Sequence, residues 1–330
     1  MKANPERNRG NALRLGSRRS PMAVAQSGGV ARLITEYTGR PVELVGVTTL
    51  GDVSRAQLTQ IGGTGVFVSA LRESLLGGEV DFAVHSLKDL PTGAAPGITL
   101  AAVPARDDPR DALITRDGAK FADLPIGARI GTGSPRRAAQ LLLLRPDVSC
   151  VPIRGNADTR LGKVRDGELD AVVLAYAGLG RIGRTDSVSE IFEPDDILPA
   201  PGQGALAVEC RAEDSELAAL LATIDHPATH AAVTAERSLL AALEAGCSAP
   251  VGAYAVPAGA DRLCLQAVVL GVPDGAMGAV ADEETVVVRE RGEADAADAA
   301  RLGRELAARM LAVGARDLIG AKTDRDDAHD

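Results

Sequence analysis

The sequence predicts an α/β protein with mostly parallel sheets, followed by a C-terminal α+β domain. Short, almost wholly apolar strands alternate with helices up to about residue 245, and such strands are typical of parallel sheets covered on both faces. Two helices begin with the same pair, Ser20-Pro21 and Ser134-Pro135, in which a serine N-cap precedes a proline at the first helical position. Beyond the long helix predicted near 227–245, the pattern changes to that of an antiparallel sheet.

Each element follows from its local hydrophobic pattern. The predicted strands are Ala12–Gly16, Val42–Thr48, Val80–His85, Ile98–Val103, Ala128–Thr132, Val148–Ile153, Leu169–Ala175, Gly204–Cys210, Val251–Val256, Arg262–Leu270 and Glu284–Arg289. Besides the helices that begin at the Ser-Pro pairs and the helix near 227–245, the predicted helices are Val66–Leu76, 157–166 and 294–313. The polar, glycine-rich segment 51–65 is predicted to be a loop.

Two pairs of fragments suggest an internal repeat. "LGSRRSP" is echoed by "IGTGSPRR", and "GEVDFAVHS" is echoed by "GELDAVVLA". The second echo is the better one, because Gly-Glu-apolar-Asp precedes an apolar strand in both copies. The spacings between the echoes differ, so the residues leave a duplication open.

The composition excludes several classes of function. The net charge is −9, the aromatic content is 2% and there is no Trp, which argues against a general nucleic-acid binder. Residues 1–20 lack the apolar core of a signal peptide, and no apolar run is long enough to span a bilayer. We therefore expect a cytoplasmic protein with free thiols, without nucleic acid or membrane as partners.

The four cysteines give no support to a metal site, because they form no C-x-x-C pair. His226 and His230 lie four residues apart at a predicted helix start, and we interpret them as capping or surface residues. Cys247 stands on a loop between small residues, directly after the long helix. The pattern alone leaves it open as a packing residue, a nucleophile or an attachment point.

The strongest candidate for chemistry is "AVHSLKDLP" at 83–91, where a buried strand ends and Lys88 and Asp89 follow. Lys88 is suited to hold a carboxylate and Asp89 to act as a general acid or base. The alternative is a polar turn before Pro91.

Arginines follow several strand ends, where ligands of α/β sheets bind. Guanidinium groups are the preferred partners of carboxylates, so their number in an acidic protein predicts a ligand with several negative charges. A single arginine of this kind is more often a solvated surface residue. The set comprises Arg18, Arg19, Arg136, Arg137, Arg154, Arg160 and Arg181.

Taken together, these motifs resemble the porphobilinogen deaminase family, from about residue 12 to about residue 316. Any one fragment is weak, but nine in order are very specific. They are "GSRRSPMAVAQ", "FAVHSLKDLPT", "DDPRDAL", "GTGSPRRAAQL", "IRGNADTRL", "AGLGRIG", "LPAPGQGALAVEC", "VTAERSLLAALEAGCSAPVGA" and the C-terminal helix. The resemblance implies two domains similar to periplasmic binding proteins, at 1–104 with 203–224 and at 105–202. A third, α+β domain at 225–330 carries the cysteine loop.

The resemblance also implies the activity. The family joins four porphobilinogen molecules head to tail, releases ammonia each time and then releases linear hydroxymethylbilane by hydrolysis. This is a transferase reaction of tetrapyrrole and heme biosynthesis. Each pyrrole carries an acetate and a propionate, so the growing chain is a polyanion, which matches the arginines. We expect a monomer whose product passes to uroporphyrinogen-III synthase.

Site residues follow from the matching motif positions. Cys247 matches the cysteine that forms a thioether to a dipyrromethane cofactor, which the enzyme makes from two porphobilinogen units. Asp89 matches the catalytic carboxylate, which protonates the leaving amine, stabilises the azafulvene cation, helps to remove the α-proton and also contacts the cofactor. The matching cofactor-side contacts are Lys88, Ser134, Arg136, Arg137 and Arg160. The matching substrate-side contacts are Arg18, Ser20, Gln26, Arg154, Arg181 and Gln203.

One departure concerns the loop at 51–65. Some family members carry lysines where this chain has Gln60 and Thr64, so these two positions supply no positive charge to substrate carboxylates. The competing hypothesis is a non-catalytic binding protein for a polycarboxylate ligand, with Cys247 as a packing residue. The joint occurrence of Asp89 and Cys247 in their full motifs argues against it.

Overall fold

The computed structural model describes residues 12–47, 65–246, 249–271 and 286–320. Over residues 12–106 the elements are β1 (Leu13–Ser17), α1 (Pro21–Thr38), β2 (Val42–Gly46), α2 (Gly65–Leu76), β3 (Phe82–Ser86) and β4 (Ile98–Ala102). Over 107–204 they are β5 (Asp111–Thr115), β6 (Arg129–Gly131), α3 (Pro135–Leu144), β7 (Ser149–Val151), α4 (Ala157–Arg165), β8 (Ala171–Ala175), α5 (Tyr176–Arg181) and β9 (Glu190–Ile191). Over 205–320 they are β10 (Leu206–Arg211), α6 (Ser215–Leu221), α7 (Pro227–Ala242), β11 (Val251–Pro257), β12 (Arg262–Leu270), β13 (Val287–Asp295), α8 (Ala299–Ala312) and α9 (Ala315–Gly320).

The chain divides into two compact units. The first comprises Met1–Arg106 and Ala205–His230, and the second comprises Asp107–Gly204 and Ala231–Asp330. The second unit thus contains both the second α/β sheet and the C-terminal sheet. The finer division into three domains, with boundaries at 104, 202 and 224, stays a prediction.

The first unit is built on one five-stranded sheet, the first sheet, in the order β2-β1-β3-β10-β4. Four strands run in the same direction, and β10 runs antiparallel to both of its neighbours. Leu15 and Phe82 of the sheet are fully buried with Val30 and Ile34 of α1, and burial of each such side chain contributes about 1.5–3 kcal/mol. The apolar face of α1 therefore fixes this helix on the sheet.

The second unit contains a second sheet with the matching order β7-β6-β8-β5-β9. Again four strands share one direction, and the reversed strand is β5. The predicted α/β class with mostly parallel sheets is confirmed in both units. The sequence pattern missed β5, β9, α5 and α6, which are short or begin with a charged residue.

The two "Gly-Glu-apolar-Asp" fragments occupy matching corners of the two sheets. Asp81 accepts a hydrogen bond from the Arg14 backbone N–H at 2.8 Å and donates its own N–H to the Arg14 carbonyl at 2.8 Å. Asp170 makes the same two contacts with Arg129, at 2.7 and 3.0 Å. The glycines of the two fragments, Gly78 and Gly167, have φ of 71° and 80°, a region that glycine enters without steric cost. The echo therefore marks equivalent positions in one topology.

The C-terminal part of the second unit is α+β, as predicted. Strands β11, β12 and β13 form an antiparallel sheet in that order. Its core joins Leu239 of α7, Leu265 of β12 and Leu306 of α8, all of them fully buried. The buried Glu236 of α7 accepts hydrogen bonds from the backbone N–H groups of Ala255 at 2.9 Å and Gly202 at 2.6 Å. This carboxylate ties the segment before Gln203 to α7 and β11.

Candidate active site

Lys88 and Asp89 lie at the C-terminal end of β3, on a 3₁₀ turn that spans Leu87–Asp89. Leu87 is fully buried and its N–H bonds the Ala205 carbonyl at 3.0 Å, while Leu90 is buried and its N–H bonds the Leu87 carbonyl at 3.1 Å. Lys88 and Asp89 between them are half-buried. Two apolar anchors thus hold the turn and leave the ammonium and carboxylate groups at the sheet edge where α/β proteins bind ligands.

The start of α1 brings further predicted residues to the same edge of the first sheet. The Ser20 side chain accepts a hydrogen bond from the Ala23 N–H at 3.3 Å, so Ser20 is the N-cap that the sequence predicts. Arg18, just before it, is half-buried. Gln26, one turn into the helix, is buried at 9% exposure. An exposed N-terminus of this kind favours a negatively charged ligand.

In the second unit, a buried group that we call the Asp111 cluster consists of Asp111, Arg136, Arg137 and Gln203. Asp111, at the start of β5, is fully buried. Its Oδ2 accepts from Arg136 Nη2 at 2.7 Å, and its Oδ1 accepts from Arg137 Nε at 3.0 Å and Gln203 Nε2 at 2.9 Å. Ser134 caps α3, accepting from the Arg137 N–H at 3.4 Å. The helix start therefore sets both arginines against one carboxylate.

Backbone carbonyls complete the cluster. Arg136 Nη1 donates to the Leu198 carbonyl at 2.6 Å, and Arg137 Nη1 donates to the Val173 carbonyl at 3.0 Å. Gln203 Nε2 also donates to the Pro109 carbonyl at 2.6 Å. Both guanidinium groups were predicted to contact a cofactor, and the structure turns both of them toward the interior of the unit. Their contacts to Asp111 are charge-assisted and close to the ideal length.

The Asp111 cluster carries more positive than negative charge. Burial opposes the charge on Asp111, but the two guanidinium groups outweigh it and hold the pKa of that carboxyl well below its ordinary value. Burial lowers the pKa of Arg136, and Asp111 offsets only part of this effect. Arg136 Nε is buried and donates to no acceptor among the described residues. The pKa of Arg160 is also lowered, by burial and by the charge of Arg137, so a third guanidinium adds to the excess.

The other predicted residues of the second unit lie around the Asp111 cluster or farther from it. Arg154 is exposed. Arg160 Nε donates to the Gly155 carbonyl at 2.9 Å, near the Asn156 cap of α4. Arg181 was predicted to contact substrate, but its Nε donates to Asp107 at 2.8 Å and its Nη2 to the Gly204 carbonyl at 2.6 Å. Gln203, also predicted to contact substrate, is 1% exposed and is part of the Asp111 cluster. The side chains of Arg181 and Gln203 thus both hold together the chain segments near residues 107 and 204.

Cys247 and Ser248 lie outside the described residues, as do Gln60, Thr64 and most of the loop predicted at 51–65. The structure describes the approach to Cys247. Helix α7 ends at Ala242, and Glu244 then takes a left-handed conformation with φ of 54°, which is uncommon for a residue other than glycine. The Ala245 N–H bonds the Leu240 carbonyl at 3.2 Å and closes the helix. The predicted end of a long helix just before the cysteine is confirmed, three residues earlier than expected.

His226 caps the first turn of α7, one of the two roles that the sequence predicts for the histidines, and His230 pairs with Asp225. His226 Nδ1 lies 3.2 Å from the Thr229 N–H donor and 2.8 Å from its hydroxyl, and His230 Nδ1 lies 2.8 Å from Asp225 Oδ1. Within the four described ranges, no group of three or more His, Cys, Asp or Glu side chains is arranged to hold a metal ion. Nor does any helix in the part of the chain that the structure describes have the length and apolarity to cross a membrane.

Sequence reasoning missed Asp111 as a site residue, although its motif was recognised. The available signal is a charged residue at the head of the apolar run "DALIT". Charged residues are almost never fully buried unless they are paired, so a carboxylate directly joined to a buried strand predicts a buried partner. The pattern does not say which arginine is that partner, because the contact spans 25 residues to Arg136 and 26 to Arg137.

The fold and these groups define a class of protein: an α/β enzyme for anionic ligands, with an accessible carboxylate at one sheet edge and a cationic cluster in another unit. Comparison with known sequences identifies the family. Residues 13–219 match the family model "Porphobilinogen deaminase, dipyromethane cofactor binding domain", and residues 230–312 match "Porphobilinogen deaminase, C-terminal domain". The chain therefore belongs to the porphobilinogen deaminase family. This confirms the family, the transferase activity and the dipyrromethane cofactor that the motifs imply.

Relatives match over almost the whole chain. Porphobilinogen deaminase of Thermobifida fusca is 63% identical over 307 residues, which is 93% of this chain and 95% of that protein. Porphobilinogen deaminase 1 of Streptomyces coelicolor is 59% identical over 319 residues, which is 94% of this chain and 98% of that protein. Among solved structures, a periplasmic substrate-binding protein of an ABC transporter from Coxiella burnetii has a TM-score of 0.41 at 15% identity, covering 66% of this chain and 94% of that one. The methionine-binding protein MetQ has a TM-score of 0.41 at 12% identity, covering 64% and 89%.

Proposed function

We propose that this chain is a hydroxymethylbilane synthase in which Asp89 moves the protons and Cys247 holds the dipyrromethane cofactor. The alternative of a non-catalytic polycarboxylate binder is not favoured. The observation that carries the proposal is the placement of Lys88 and Asp89, half-buried side by side on an anchored turn at the end of β3. A binding protein needs the cation there, but it has no use for a carboxylate that repels its acidic ligand.

Asp89 serves each condensation in three ways. Its carboxyl group donates a proton to the aminomethyl nitrogen of porphobilinogen as the carbon–nitrogen bond breaks, and the nitrogen leaves as ammonia. The resulting carboxylate faces the cationic pyrrole that remains and lowers its energy. After the new carbon–carbon bond has formed, the carboxylate accepts the α-proton, which restores its protonated state. Such general acid–base groups contribute about a hundred- to ten-thousandfold in rate.

The second unit fits the dipyrromethane cofactor named by the family model that matches residues 13–219. A dipyrromethane carries acetate and propionate groups, and the Asp111 cluster with Arg160 holds an excess of buried positive charge and an unsatisfied Nε–H on Arg136. When bound, the dipyrromethane supplies the pyrrole α-carbon to which the first substrate is joined. Arg136, Arg137 and Arg160 with Ser134 hold its carboxylates in our proposal, and Lys88 and Asp89 are its contacts in the first unit.

Cys247 is the proposed attachment point. The described cysteines, Cys150, Cys210 and Cys264, are all buried. Burial raises the pKa of the Cys150 thiol to about 12 and that of Cys210 to about 11, so neither supplies a thiolate near neutral pH. Support for Cys247 thus comes from its family motif and from the unsuitability of the other thiols.

For substrate carboxylates we propose Arg18, Arg154, Ser20 and Gln26, of which Arg154 is exposed and Arg18 half-buried. Arg181 and Gln203 support the site indirectly, through the chain near 107 and 204 and through Asp111. We further propose that the protein is a cytoplasmic monomer whose substrate is porphobilinogen and whose product passes to uroporphyrinogen-III synthase. The net charge of −9 suits a protein that holds anions by local arginines alone.

The intact mass of the purified protein tests the attachment. We expect the sequence mass plus one dipyrromethane, and the sequence mass alone for Cys247→Ala. The matched controls are Cys150→Ala, Cys210→Ala and Cys264→Ala, which keep the added mass and lose only packing, of order 1 kcal/mol or somewhat more. Active enzyme without added mass, or the added mass on another cysteine, contradicts the proposal.

A further inference from the structure

A buried charged network lies within the first unit, against the strand that leads to Lys88 and Asp89. Arg72 of α2 donates two hydrogen bonds to Glu209 of β10, from Nη2 to Oε1 at 2.6 Å and from Nε to Oε2 at 3.0 Å. His85 of β3 places its Nε2 3.2 Å from the same Oε2. His85 is 6% exposed and Glu209 3% exposed. None of these three residues takes part in the proposed proton transfer or in the proposed binding of carboxylates.

The contacts are strong enough to fix the carboxylate. Burial would raise the pKa of Glu209, but hydrogen bonds and charges from His85 and Arg72 outweigh it and lower the pKa to about 2. The two-pronged contact from Arg72 is the geometry that arginine makes best with a carboxylate. Breaking a buried pair of this kind is costly because it leaves one charge without a partner. Glu209 is therefore a rigid carboxylate beside the His85 ring.

The end of β3 needs such a contact because its strand pairing is one-sided. β1 pairs with β3 only at Phe82 and Ala83, the first two residues of the strand. The last three residues, Val84–Ser86, pair with Leu206–Val208 of β10 alone. The turn with Lys88 and Asp89 follows directly. The half of β3 that carries the catalytic turn thus depends on β10 for its backbone position.

The backbone of β10 is irregular at the same point. On its other side, toward β4, the register shifts between Val208 and Glu209, so that Val208 faces Ala102 while Glu209 faces Leu100. A β-bulge of this kind changes the direction of a side chain and is common beside active sites. Here the irregularity falls at Glu209, whose carboxylate crosses to His85 two rungs along β3.

We propose that Arg72, Glu209 and His85 form a positioning network that fixes the end of β3, and through it the carboxylate of Asp89, for proton transfer. The proposal rests on the assignment of Asp89 in the proposed function. The three residues act through the strand rather than on the substrate. Their loss should therefore lower kcat with little change in KM, since substrate binding depends on other groups.

The test compares two carboxylate variants that contact different parts of β3 and its approach. Glu209→Gln removes the carboxylate that faces His85, in the C-terminal half of β3. The matched control is Asp81→Asn, since Asp81 lies just before β3 begins. This change breaks the ion pair between Asp81 Oδ1 and Arg14 Nη2, which are 2.7 Å apart. Holoenzyme of each variant, with cofactor loading checked by intact mass, is assayed for kcat, KM and thermal midpoint. Arg72→Lys keeps the positive charge at residue 72 but loses the two-pronged contact with Glu209. If Glu209→Gln does not fold, the kcat of Arg72→Lys tests the proposal in its place.

We expect Glu209→Gln to lower kcat by about ten- to a hundredfold, the range that a small misplacement of a catalytic group produces. Arg72→Lys should lower kcat by less, and Asp81→Asn should lower only the thermal midpoint. Wild-type kcat in Glu209→Gln or, if that variant does not fold, in Arg72→Lys would overturn the proposal. A rise in KM instead of a fall in kcat, or an equal loss of kcat in Asp81→Asn, would overturn it too.

A double variant separates this proposal from the assignment of Asp89. Because the network acts through Asp89, adding Glu209→Gln to Asp89→Asn should cause no further loss of kcat. Additive losses would show that the network acts elsewhere and would contradict the inference alone. Wild-type turnover in Asp89→Asn would instead refute the proposed role of Asp89, whatever Glu209→Gln does.

Discussion

The first and second sheets have the same strand order and the same single reversed strand, but they place their buried carboxylate at different depths. In the second sheet, Asp111 lies opposite Ala175, the last residue of β8, at the edge where ligands bind. In the first sheet the position opposite the last residue of β3, Ser86, is occupied by Leu206. The carboxylate of the reversed strand is Glu209, opposite Ala83 and three residues deeper.

This difference assigns different chemistry to the two edges. The second sheet neutralises part of its edge charge with Asp111 and keeps an excess of guanidinium groups, which suits the holding of carboxylates. The first sheet keeps its buried charges below the edge, and its edge carries the half-buried Lys88 and Asp89 on a turn. In our proposal, one scaffold thus supports proton transfer in one unit and anion binding in the other.

The largest effect is expected at Asp89. Asp89→Asn keeps the shape of the side chain but removes both the proton and the negative charge, so turnover should fall by about a hundred- to ten-thousandfold or more. Asp89→Glu keeps the charge at a displaced position and should retain slow activity. Single-turnover kinetics on cofactor-loaded enzyme measure both, with His85→Gln as the rival acid. Turnover within about tenfold of wild type in Asp89→Asn, with His85→Gln inactive, would mean that the acid is misassigned.

Asp111→Asn should lower the free energy of unfolding of the second unit more than the control variant Asp170→Asn does. Asp111→Asn leaves two buried guanidinium groups without a counter-charge, and breaking a buried pair in this way costs about 3–5 kcal/mol. The free energy of unfolding from urea titration measures the loss. Asp170→Asn is the control, because Asp170 lies at the opposite edge of the same sheet and accepts a backbone hydrogen bond from Arg129. Equal losses of unfolding free energy in the two variants would contradict the claim that Asp111 is the essential counter-charge of the buried arginines.

A smaller effect is expected from pH on the free energy of unfolding, through the Glu209 carboxyl of the first sheet. The pKa of Glu209 falls from 4.5 to about 2 on folding, so its ionised form stabilises the native state fully above pH 4.5. That stabilisation is lost as the pH falls from there toward 2. The difference in unfolding free energy between wild type and Glu209→Gln should therefore shrink between about pH 7 and about pH 3. A difference that stays constant over this range would contradict the lowered pKa.

Local features of the fold and site could be predicted because their causes lie in a few neighbouring residues. The Ser20 and Ser134 caps, the echo that contains Asp81 and Asp170, and the turn at Asp89 all follow from short motifs. The alternation of apolar strands and helices was sufficient for the α/β class. The role proposed for Cys247 follows only from the family resemblance, since a thiol among small residues has no unique chemistry.

The remaining features depend on contacts between distant parts of the chain. Glu209 reads as an isolated charge in an apolar strand, and nothing near it points to Arg72, which precedes it by 137 residues. Arg136 and Arg137 are predicted to bind a ligand, but the sequence does not reveal Asp111 as their buried partner. Strand order and the reversed direction of β5 and β10 are set by sheet pairing, which a local pattern does not encode.

The central claim is that the first sheet edge moves protons and the second holds the cofactor. Intact-mass measurement of cofactor loading, on Asp89→Glu and Asp111→Asn purified in parallel, tests it most directly. We predict full addition of one dipyrromethane to the slow variant Asp89→Glu, whose residual activity still assembles the cofactor, and low addition to folded Asp111→Asn, because its arginines lose the carboxylate that orients them. Full loading of Asp111→Asn together with an unloaded Asp89→Glu would contradict this division between the two sheets.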